Sequence, residues 1–199
     1  MVQVHPFKGV RPATDLADKV AALPYDVVNS QEARDLAADN PYSYFHIDKA
    51  EIDLPTELSP YDEKVYQKAA ANLAEFLEKG WLFKESDDCF YLYELVMNGR
   101  SQTGIVACTS ISDYIDEKIK KHEFTRHEKE IDRMNHIRTC DANTSPIFLS
   151  YRPQSEIQTI IKTWQKDHQP VYDFTSYHEV THRVWVIDQI ETIDQLTEI

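Results

Sequence analysis

Apolar positions recur at helical spacing in several parts of the chain. Between residues 65 and 77 they lie three and four residues apart, which predicts an amphipathic helix ending near Gly80. The same spacing predicts a helix over 156–167, with a short final helix over 189–199. A further helix is expected over 30–39, with Ser30 as its N-cap.

Strand spacing is clearest on either side of Asn98-Gly99, the preferred pair for a type I′ turn. Residues 90–97 and 100–111 are rich in β-branched and aromatic side chains, which predicts an antiparallel hairpin. A two-residue loop would place Tyr91 opposite Val106. Both faces are apolar near that end, so we expect the hairpin to be covered by other elements.

The remaining pattern predicts a mixed fold. Four more strands are expected, over 44–48, 146–151, 171–174 and 183–188. Helices and strands alternate irregularly around an antiparallel pair, which indicates an α+β (mixed α/β) class with a mixed sheet packed against helices. We expect one domain over 1–199, with a loop or linker at 54–60, where two prolines and a serine fall together.

Composition bears on the binding partners and on the cellular compartment that we expect for this chain. The 199 residues carry a net charge of −13, so we do not expect the chain to bind nucleic acid. Three widely spaced cysteines without a CxxC pair favour a reducing compartment. No apolar segment resembles a signal peptide or approaches the length that spans a bilayer. These features predict a cytoplasmic protein without a membrane partner; they leave its oligomeric state open.

Residues 117–138 depart from this acidic background. They contain seven of the 21 basic residues, and the sequence predicts one long charged helix over 116–138. A helical projection puts five basic side chains on one side: His122, Arg126, Lys129, Arg133 and His136. It puts three apolar side chains on the other side: Phe124, Ile131 and Met134.

Two interpretations of this stripe remain open. It can be the solvated face of a surface helix, which periodicity alone favours, because charge runs usually face water. It can also be an anion site, because arginine forks and lysine point charges bind phosphate oxygens. The phosphate-binding set would then contain Lys120, Lys121, Arg126, Lys129 and Arg133.

Other chemistry is less well supported. The histidine spacing matches no metal-binding motif, so no metal site built from side chains is expected. Walker, dinucleotide-binding and GxSxG motifs are missing from the sequence. Asp26 ends an extended segment, where a carboxylate can serve as a general base or, equally, stabilise an Asx turn.

Several segments together resemble one bacterial family, the uncharacterised "domain of unknown function 1015". The similar segments are 5–12, 23–28, 32–34, 40–46, 51–54, 102–104, 113–114, 119–126, 129–133 and 143–151. Because of this resemblance, we favour the interpretation of residues 120–133 as a ligand site over that of a solvated face. It implies that the chain is the N-terminal part of a longer protein. Relatives carry an Asp-Gly-His-His-Arg segment similar to ParB and sulfiredoxin folds, and this sequence has none.

Since a free-serine kinase shares that fold, the resemblance implies a phosphate-bearing small ligand. It implies in particular a kinase-like phosphotransferase that acts on serine or a similar metabolite, with ADP or ATP and magnesium. The candidate catalytic residues are Asp26, Glu123 and His122, and Arg11 joins the phosphate-binding set. The alternative is a non-catalytic regulatory or interaction module that senses a phosphorylated metabolite.

Overall fold

The computed structural model describes residues 2–121 and 124–199. It is an α+β structure whose contacts divide the chain into two compact units. Unit 1 consists of Met1–Thr14, Lys84–His122 and Ser150–Ile199, and unit 2 consists of Asp15–Phe83 and Glu123–Leu149. The single domain expected over 1–199 stays a prediction.

Unit 1 is built around a four-stranded antiparallel sheet in the order β5-β4-β8-β7. Its strands are β4 (Phe90–Met97), β5 (Arg100–Val106), β7 (Tyr172–Thr175) and β8 (Thr181–Ile187). Unit 1 also contains β1 (Val4–His5), β2 (Val10–Pro12), β6 (Cys108–Thr109), α5 (Ile111–Ile115), α7 (Ser155–Asp167) and α8 (Ile190–Glu198). β1 pairs with β6 in antiparallel orientation.

The predicted hairpin is confirmed in position and in register. Tyr91 lies opposite Val106, and Asn98 and Gly99 both adopt positive φ, at 52° and 74°, as a type I′ turn requires. The second strand is shorter than expected, because regular pairing ends at Val106. One face of the sheet packs against α7 and α8 through Leu92 and other large apolar side chains, which form the core of unit 1.

Unit 2 is mainly helical. Its helices are α1 (Ala17–Val20), α2 (Ser30–Ala37), α3 (Phe45–Asp48), α4 (Glu63–Glu78) and α6 (His127–Cys140), with a 3₁₀ turn at Ala50–Asp53. β3 (Leu82–Lys84) spans the point in the sequence where unit 2 ends and unit 1 begins. The predicted helices over 30–39 and near 65–77 are confirmed, and 54–60 is a loop. The N-cap of α2 is Asn29, in a capping box with Glu32, and not Ser30.

Three sequence predictions of secondary structure are wrong. Residues 44–48 are helical, since backbone N–H groups of Ile47 and Asp48 donate to the Tyr44 carbonyl oxygen. Residues 146–151 form no strand. The helix predicted over 116–138 begins only at His127. Glu117 has a φ of 57°, which is incompatible with a continuous right-handed helix through this residue.

Among the described residues, no helix is both long enough and apolar enough to cross a membrane. The predicted cytoplasmic location stays a prediction.

Candidate functional site

Helix α6 in unit 2 carries its polar stripe on the buried face. Lys129 and Arg133 are half-buried, and His136, at 2% exposure, is almost completely enclosed. Ile131 and Met134 lie on the outer face, each about two-fifths exposed. The helical projection therefore grouped these side chains correctly, but the interpretation of the basic stripe as a solvated surface does not hold for α6.

Arg133 is held by two acidic side chains. Its Nη1 donates to Asp48 Oδ1 at 3.0 Å, while its Nε and Nη2 donate to Asp132 Oδ2 at 3.2 and 3.1 Å. Burial opposes the charge, but attraction to Asp132 and Asp48 outweighs it and raises the pKa of Arg133. Asp48 accepts a further hydrogen bond from Ser145 Oγ at 3.0 Å. Most of the hydrogen-bonding capacity of this guanidinium is therefore used inside unit 2.

Tyr25 is surrounded by cations from separate segments of unit 2. The Arg133 guanidinium carbon lies 4.2 Å from the centroid of its ring, within the range of a cation–π contact. The ammonium groups of Lys129 and Lys49 lie 5.5 and 5.9 Å from the same centroid. Lys49 also forms an ion pair with Glu51 at 3.4 Å. Tyr25 therefore connects the 23–28 segment to α6.

Lys129 lies between two tyrosines. Its ammonium nitrogen is 5.4 Å from the Tyr61 ring centroid and 5.5 Å from that of Tyr25. A hydrogen bond to Tyr61 raises the pKa of Lys129, although burial acts against it. In the described part of the chain, Lys129 forms no ion pair with a carboxylate. Its charge is thus compensated less directly than that of Arg133.

Two more predicted site residues belong to unit 2. Asp26 is exposed and follows Tyr25 in a tight turn, in which Val27 N donates to the Pro24 carbonyl at 3.1 Å. Arg126 is exposed at the N-cap position of α6, and its side chain forms no capping hydrogen bond. Asp26 is therefore next to Tyr25, whose ring contacts Lys129. Arg126 lies at the start of the helix that carries Lys129.

Three more predicted residues, Lys120, Lys121 and Arg11, belong to unit 1. Lys120 and Lys121 belong to unit 1, where the Lys121 ammonium lies 5.1 Å from the Tyr114 ring centroid. Arg11 also belongs to unit 1, where it pairs with Glu85 at 2.5 Å and donates to the Tyr172 hydroxyl at 2.8 Å. His122 and Glu123 lie outside the described residues.

A buried polar network extends the cluster further along α6. His136 Nε2 donates to the Ile47 carbonyl at 3.0 Å, and in the neutral imidazole Nδ1 then accepts from Thr144 Oγ1 at 3.1 Å. The Tyr44 hydroxyl donates to the Thr144 carbonyl at 2.9 Å. The network joins α3, α6 and the segment after α6, so it fixes the orientation of the helix that carries Lys129 and Arg133.

Sequence reasoning missed Tyr25, Tyr61 and Asp48. Tyr25 and Asp48 contact Arg133 from distant segments of the chain, and no local sequence pattern indicates such contacts. Tyr25 had a signal, because it precedes Asp26 in one of the similar segments. Across residues 2–121 and 124–199, no group of three or more histidine, cysteine, aspartate or glutamate residues has an arrangement suited to a metal ion.

Four of the segments that carried the family resemblance thus meet in unit 2: those containing Tyr25, Tyr44, Arg133 and Thr144. A family model described as "Protein of unknown function (DUF1015)" matches residues 4–199. The chain belongs to this family. The match extends beyond residue 151, where the visible resemblance ended. No curated protein matches the chain, and no solved structure matches it either. The ParB or sulfiredoxin-like part of the fold stays a prediction.

Proposed function

We propose that unit 2 binds a small phosphate-bearing ligand at the cluster of Tyr25, Tyr61, Arg126 and Lys129. The observation that carries the proposal is the Lys129 ammonium, which lies between two tyrosine rings and forms no ion pair with a carboxylate in the described residues. An ammonium in a partly buried setting binds phosphate oxygens as a point charge. The neighbouring tyrosine hydroxyls supply further donors.

Arg133 acts in this proposal as a positioning residue. Asp48 and Asp132 already accept hydrogen bonds from all three of its nitrogens, so its guanidinium has fewer N–H groups left for a phosphate. Its contact with the Tyr25 ring at 4.2 Å holds that ring beside Lys129. Arg126 supplies the second positive charge, because its exposed side chain precedes the first turn of α6. The positive N-terminal end of the helix dipole adds to the attraction.

A small ligand fits the charge of the protein better than a polyanion. The whole chain carries −13, which repels a long phosphate backbone, whereas a compact ligand meets mainly the local cations. Three acids beside the cluster, Asp48, Asp132 and Glu51, are paired with Arg133 or Lys49 and therefore contribute less repulsion. Inorganic phosphate, ADP and ATP, with and without magnesium, are the probes that this proposal specifies.

Calorimetry on the full chain tests the proposal. We expect Lys129→Ala to weaken binding of the tightest probe about tenfold or more, because a hydrogen bond to a charged group contributes about 1.5–3 kcal/mol. Arg126→Ala should weaken it by a smaller factor. Lys79→Ala is the matched control, since Lys79 is a surface lysine of unit 2 paired with Glu75. Equal affinities in the wild type and Lys129→Ala would refute the assigned site.

Phosphoryl transfer is the second candidate function. Asp26 favours it, because this exposed carboxylate follows Tyr25 directly and is therefore next to the proposed phosphate site. A carboxylate in that place can accept the proton of an attacking hydroxyl. We propose serine or a similar small hydroxylated metabolite as the acceptor and ADP or ATP with magnesium as the donor.

A turnover assay with a panel of hydroxy amino acids separates the two functions. Product formed by the wild type and lost in Asp26→Asn, with nucleotide affinity unchanged, supports transfer. Binding without turnover supports the non-catalytic module that senses a phosphorylated metabolite. Glu123→Gln belongs in the same assay, because that residue was predicted from the sequence as an alternative base.

A further inference from the structure

Ser176, His182 and Tyr93 form a chain of hydrogen bonds in unit 1 that the proposed function does not use. Ser176 Oγ lies 2.6 Å from His182 Nε2, and the Tyr93 hydroxyl oxygen lies 2.6 Å from His182 Nδ1. Both nitrogens of one imidazole are therefore engaged at short distances. A serine hydroxyl on an imidazole that a third group holds in place is the arrangement that activates a nucleophile.

The four-stranded sheet of unit 1 brings these side chains together. Leu92 points into the core, and because side chains alternate along a strand, Tyr93 points to the opposite face. His182 shares that face, since it pairs with Leu95 of β4 on one side and with Phe174 of β7 on the other. Three neighbouring strands therefore position the imidazole.

The surroundings of His182 keep its imidazole neutral and able to accept a proton. Burial lowers the pKa of His182 from its ordinary value of 6.5. The Phe174 ring lies nearly parallel to the imidazole, with 5.0 Å between the ring centroids. When His182 takes up a proton, this contact becomes a cation–π interaction that stabilises the imidazolium. The charged side chains of Glu94 and Arg183 pair with each other at 3.2 Å on the other face of the sheet.

The turn between β7 and β8 holds the Ser176 hydroxyl beside the imidazole. Ser176 N donates to the Val180 carbonyl oxygen at 2.9 Å, which closes the turn. His178 and Glu179 are exposed, and both have a φ of 58°, a strained conformation for residues other than glycine. Strain of this kind persists only where the surrounding structure imposes it, and it is common at active sites.

We propose that unit 1 carries an esterase site, in which Ser176 is the nucleophile, His182 the general base and Tyr93 a positioning residue. Ser176 Oγ attacks the carbonyl carbon of an ester, and its proton passes to His182 Nε2. His182 gives that proton to the departing alkoxide, so an alcohol leaves and the acyl group stays on Oγ. Water then gives a proton to the same nitrogen and attacks the acyl carbon. The bond to Oγ breaks, Oγ recovers the proton, and a carboxylic acid is released.

Tyr93 acts by selecting the tautomer of the imidazole. Its hydroxyl oxygen accepts a hydrogen bond from His182 Nδ1–H, which leaves Nε2 unprotonated and free to receive the proton of Ser176. Burial raises the pKa of Tyr93, so the phenol stays neutral and orients the ring without taking its charge.

The side chains beside His182 indicate an apolar acyl group. Leu95 pairs with His182 across the strands and is 37% exposed, and Met97, two residues further along the same face, is 53% exposed. An acyl chain on Ser176 would cover part of this apolar surface, and each buried CH₂ contributes about 0.8 kcal/mol. We therefore expect a butyryl ester to react faster than an acetyl ester.

Labelling of the full chain with diisopropyl fluorophosphate tests the nucleophile. Oγ would displace fluoride from phosphorus and lose its proton through His182, so the protein gains one diisopropyl phosphoryl group and hydrogen fluoride is released. We expect peptide mapping to find this group on Ser176 and not on Ser101. Ser101 is an internal control, because its exposed hydroxyl donates to Glu94 at 2.5 Å and thus contacts a carboxylate instead of an imidazole. Equal labelling of the two serines, or no label on Ser176, would overturn the proposal.

Two variants test the roles of the other members. His182→Gln should slow the labelling of Ser176 about a hundredfold or more, because a general base contributes about 10²–10⁴ in rate. Tyr93→Phe should slow it less and should move the pH profile of labelling to lower pH, because the imidazolium loses an acceptor and the pKa of His182 falls. An unchanged rate in His182→Gln, or an unchanged profile in Tyr93→Phe, would overturn the assigned roles.

Hydrolysis of p-nitrophenyl butyrate and p-nitrophenyl acetate tests the activity itself. The wild type should hydrolyse the butyrate faster, Ser176→Ala should lose hydrolysis of both esters, and Ser101→Ala should keep the wild-type rates. Equal rates in the wild type and Ser176→Ala would overturn the esterase assignment.

Discussion

Arg133 Nη1 donates to Asp48 Oδ1 at 3.0 Å, and this bond joins segments that are 85 residues apart in the chain. Asp48 ends the short helix α3, and Arg133 lies in the middle of α6. Both side chains are largely buried, at 9% and 22% exposure. The pair therefore fastens α6 in unit 2, and it also places the guanidinium beside Tyr25.

Removing the arginine should destabilise unit 2 strongly. Arg133→Ala leaves Asp48 and Asp132 buried without their main cation, and such a change costs about 3 kcal/mol or more. We expect this loss in the free energy of unfolding measured with urea. Arg126→Ala should change that free energy by less than about 0.5 kcal/mol, because Arg126 is exposed and forms no capping hydrogen bond. Similar losses in the two variants would contradict the structural role of Arg133.

This pair also shows what sequence patterns could not supply. The helical projection identified Lys129, Arg133 and His136 as neighbours, because neighbours on a helix follow from spacing alone. It could not identify Asp48 as the partner of Arg133, because that contact depends on tertiary packing. Because Asp48 was not identified, the sequence suggested more uncompensated positive charge on α6 than the structure contains.

The hairpin was predictable because its signals are local. Asn98-Gly99 accepts the two positive φ angles of a type I′ turn, and that turn fixes the pairing of the flanking strands. Residues 44–48 contain a short apolar run with no such signal, and periodicity over so few residues does not separate strand from helix. Ser43 Oγ accepts a hydrogen bond from Phe45 N at 3.3 Å at the start of α3, which favours the helix.

Gly99→Ala should destabilise the hairpin through backbone strain alone. Gly99 has a φ of 74°, and no atom beyond its two chain neighbours lies within 4 Å of the Cβ that alanine would add, so contacts with the rest of the protein contribute nothing. We expect a loss of about 1 kcal/mol in the free energy of unfolding. The matched control is Gly104→Ala in the partner strand, where the added Cβ also meets open space and φ is not positive. Gly104→Ala should be neutral or slightly stabilising, and an equal loss there would contradict the explanation.

Gly9→Ala should destabilise unit 1 for a different reason. Gly9 N donates to the Tyr91 hydroxyl at 2.9 Å, and a Cβ at residue 9 would lie 2.5 Å from that oxygen. The alanine therefore forces the Tyr91 ring to move and breaks the hydrogen bond, and overpacking of this kind costs about 1–3 kcal/mol. Tyr91→Phe in the Gly9→Ala background should recover part of the loss in thermal unfolding. No recovery would show that the ring carbon Cζ, 2.8 Å from the added Cβ, dominates the clash and not the hydroxyl oxygen.

His46 and Asp53 form a titratable pair in unit 2. His46 Nδ1 lies 2.8 Å from Asp53 Oδ1, and Nε2 lies 3.1 Å from the Asn40 carbonyl oxygen. Both ring nitrogens can donate at once only when the imidazole is protonated. The hydrogen bond to Asp53 raises the pKa of His46, although burial and the nearby Lys68 act against it. Burial opposes the charge of Asp53, but hydrogen bonds from His46 and Asn72 lower its pKa.

These shifts predict a pair that stabilises unit 2 most in mildly acidic solution. Because the pKa of His46 is raised on folding, its contribution is complete below the ordinary value of 6.5 and is lost as the pH rises through the folded value. Because the pKa of Asp53 is lowered on folding, its contribution is present above the ordinary value of 3.8 and is lost on acidification. The pair therefore stabilises unit 2 most at pH values between the ordinary pKa of Asp53 and that of His46.

His46→Gln isolates the contribution, because glutamine keeps one donor and loses the charge. We expect the wild type to exceed this variant in unfolding free energy by about 1 kcal/mol near pH 5.5, with a smaller difference near pH 9. Burial lowers the pKa of His182, and that group alone would make the free energy of unfolding rise with pH. The measurement must therefore compare the wild type with His46→Gln at each pH, because the His182 contribution is the same in both proteins. Urea titrations at both pH values provide the measurement. A difference that stays constant with pH would show that His46 acts as an uncharged hydrogen-bond donor, and a larger difference at pH 9 would reverse the assigned sign.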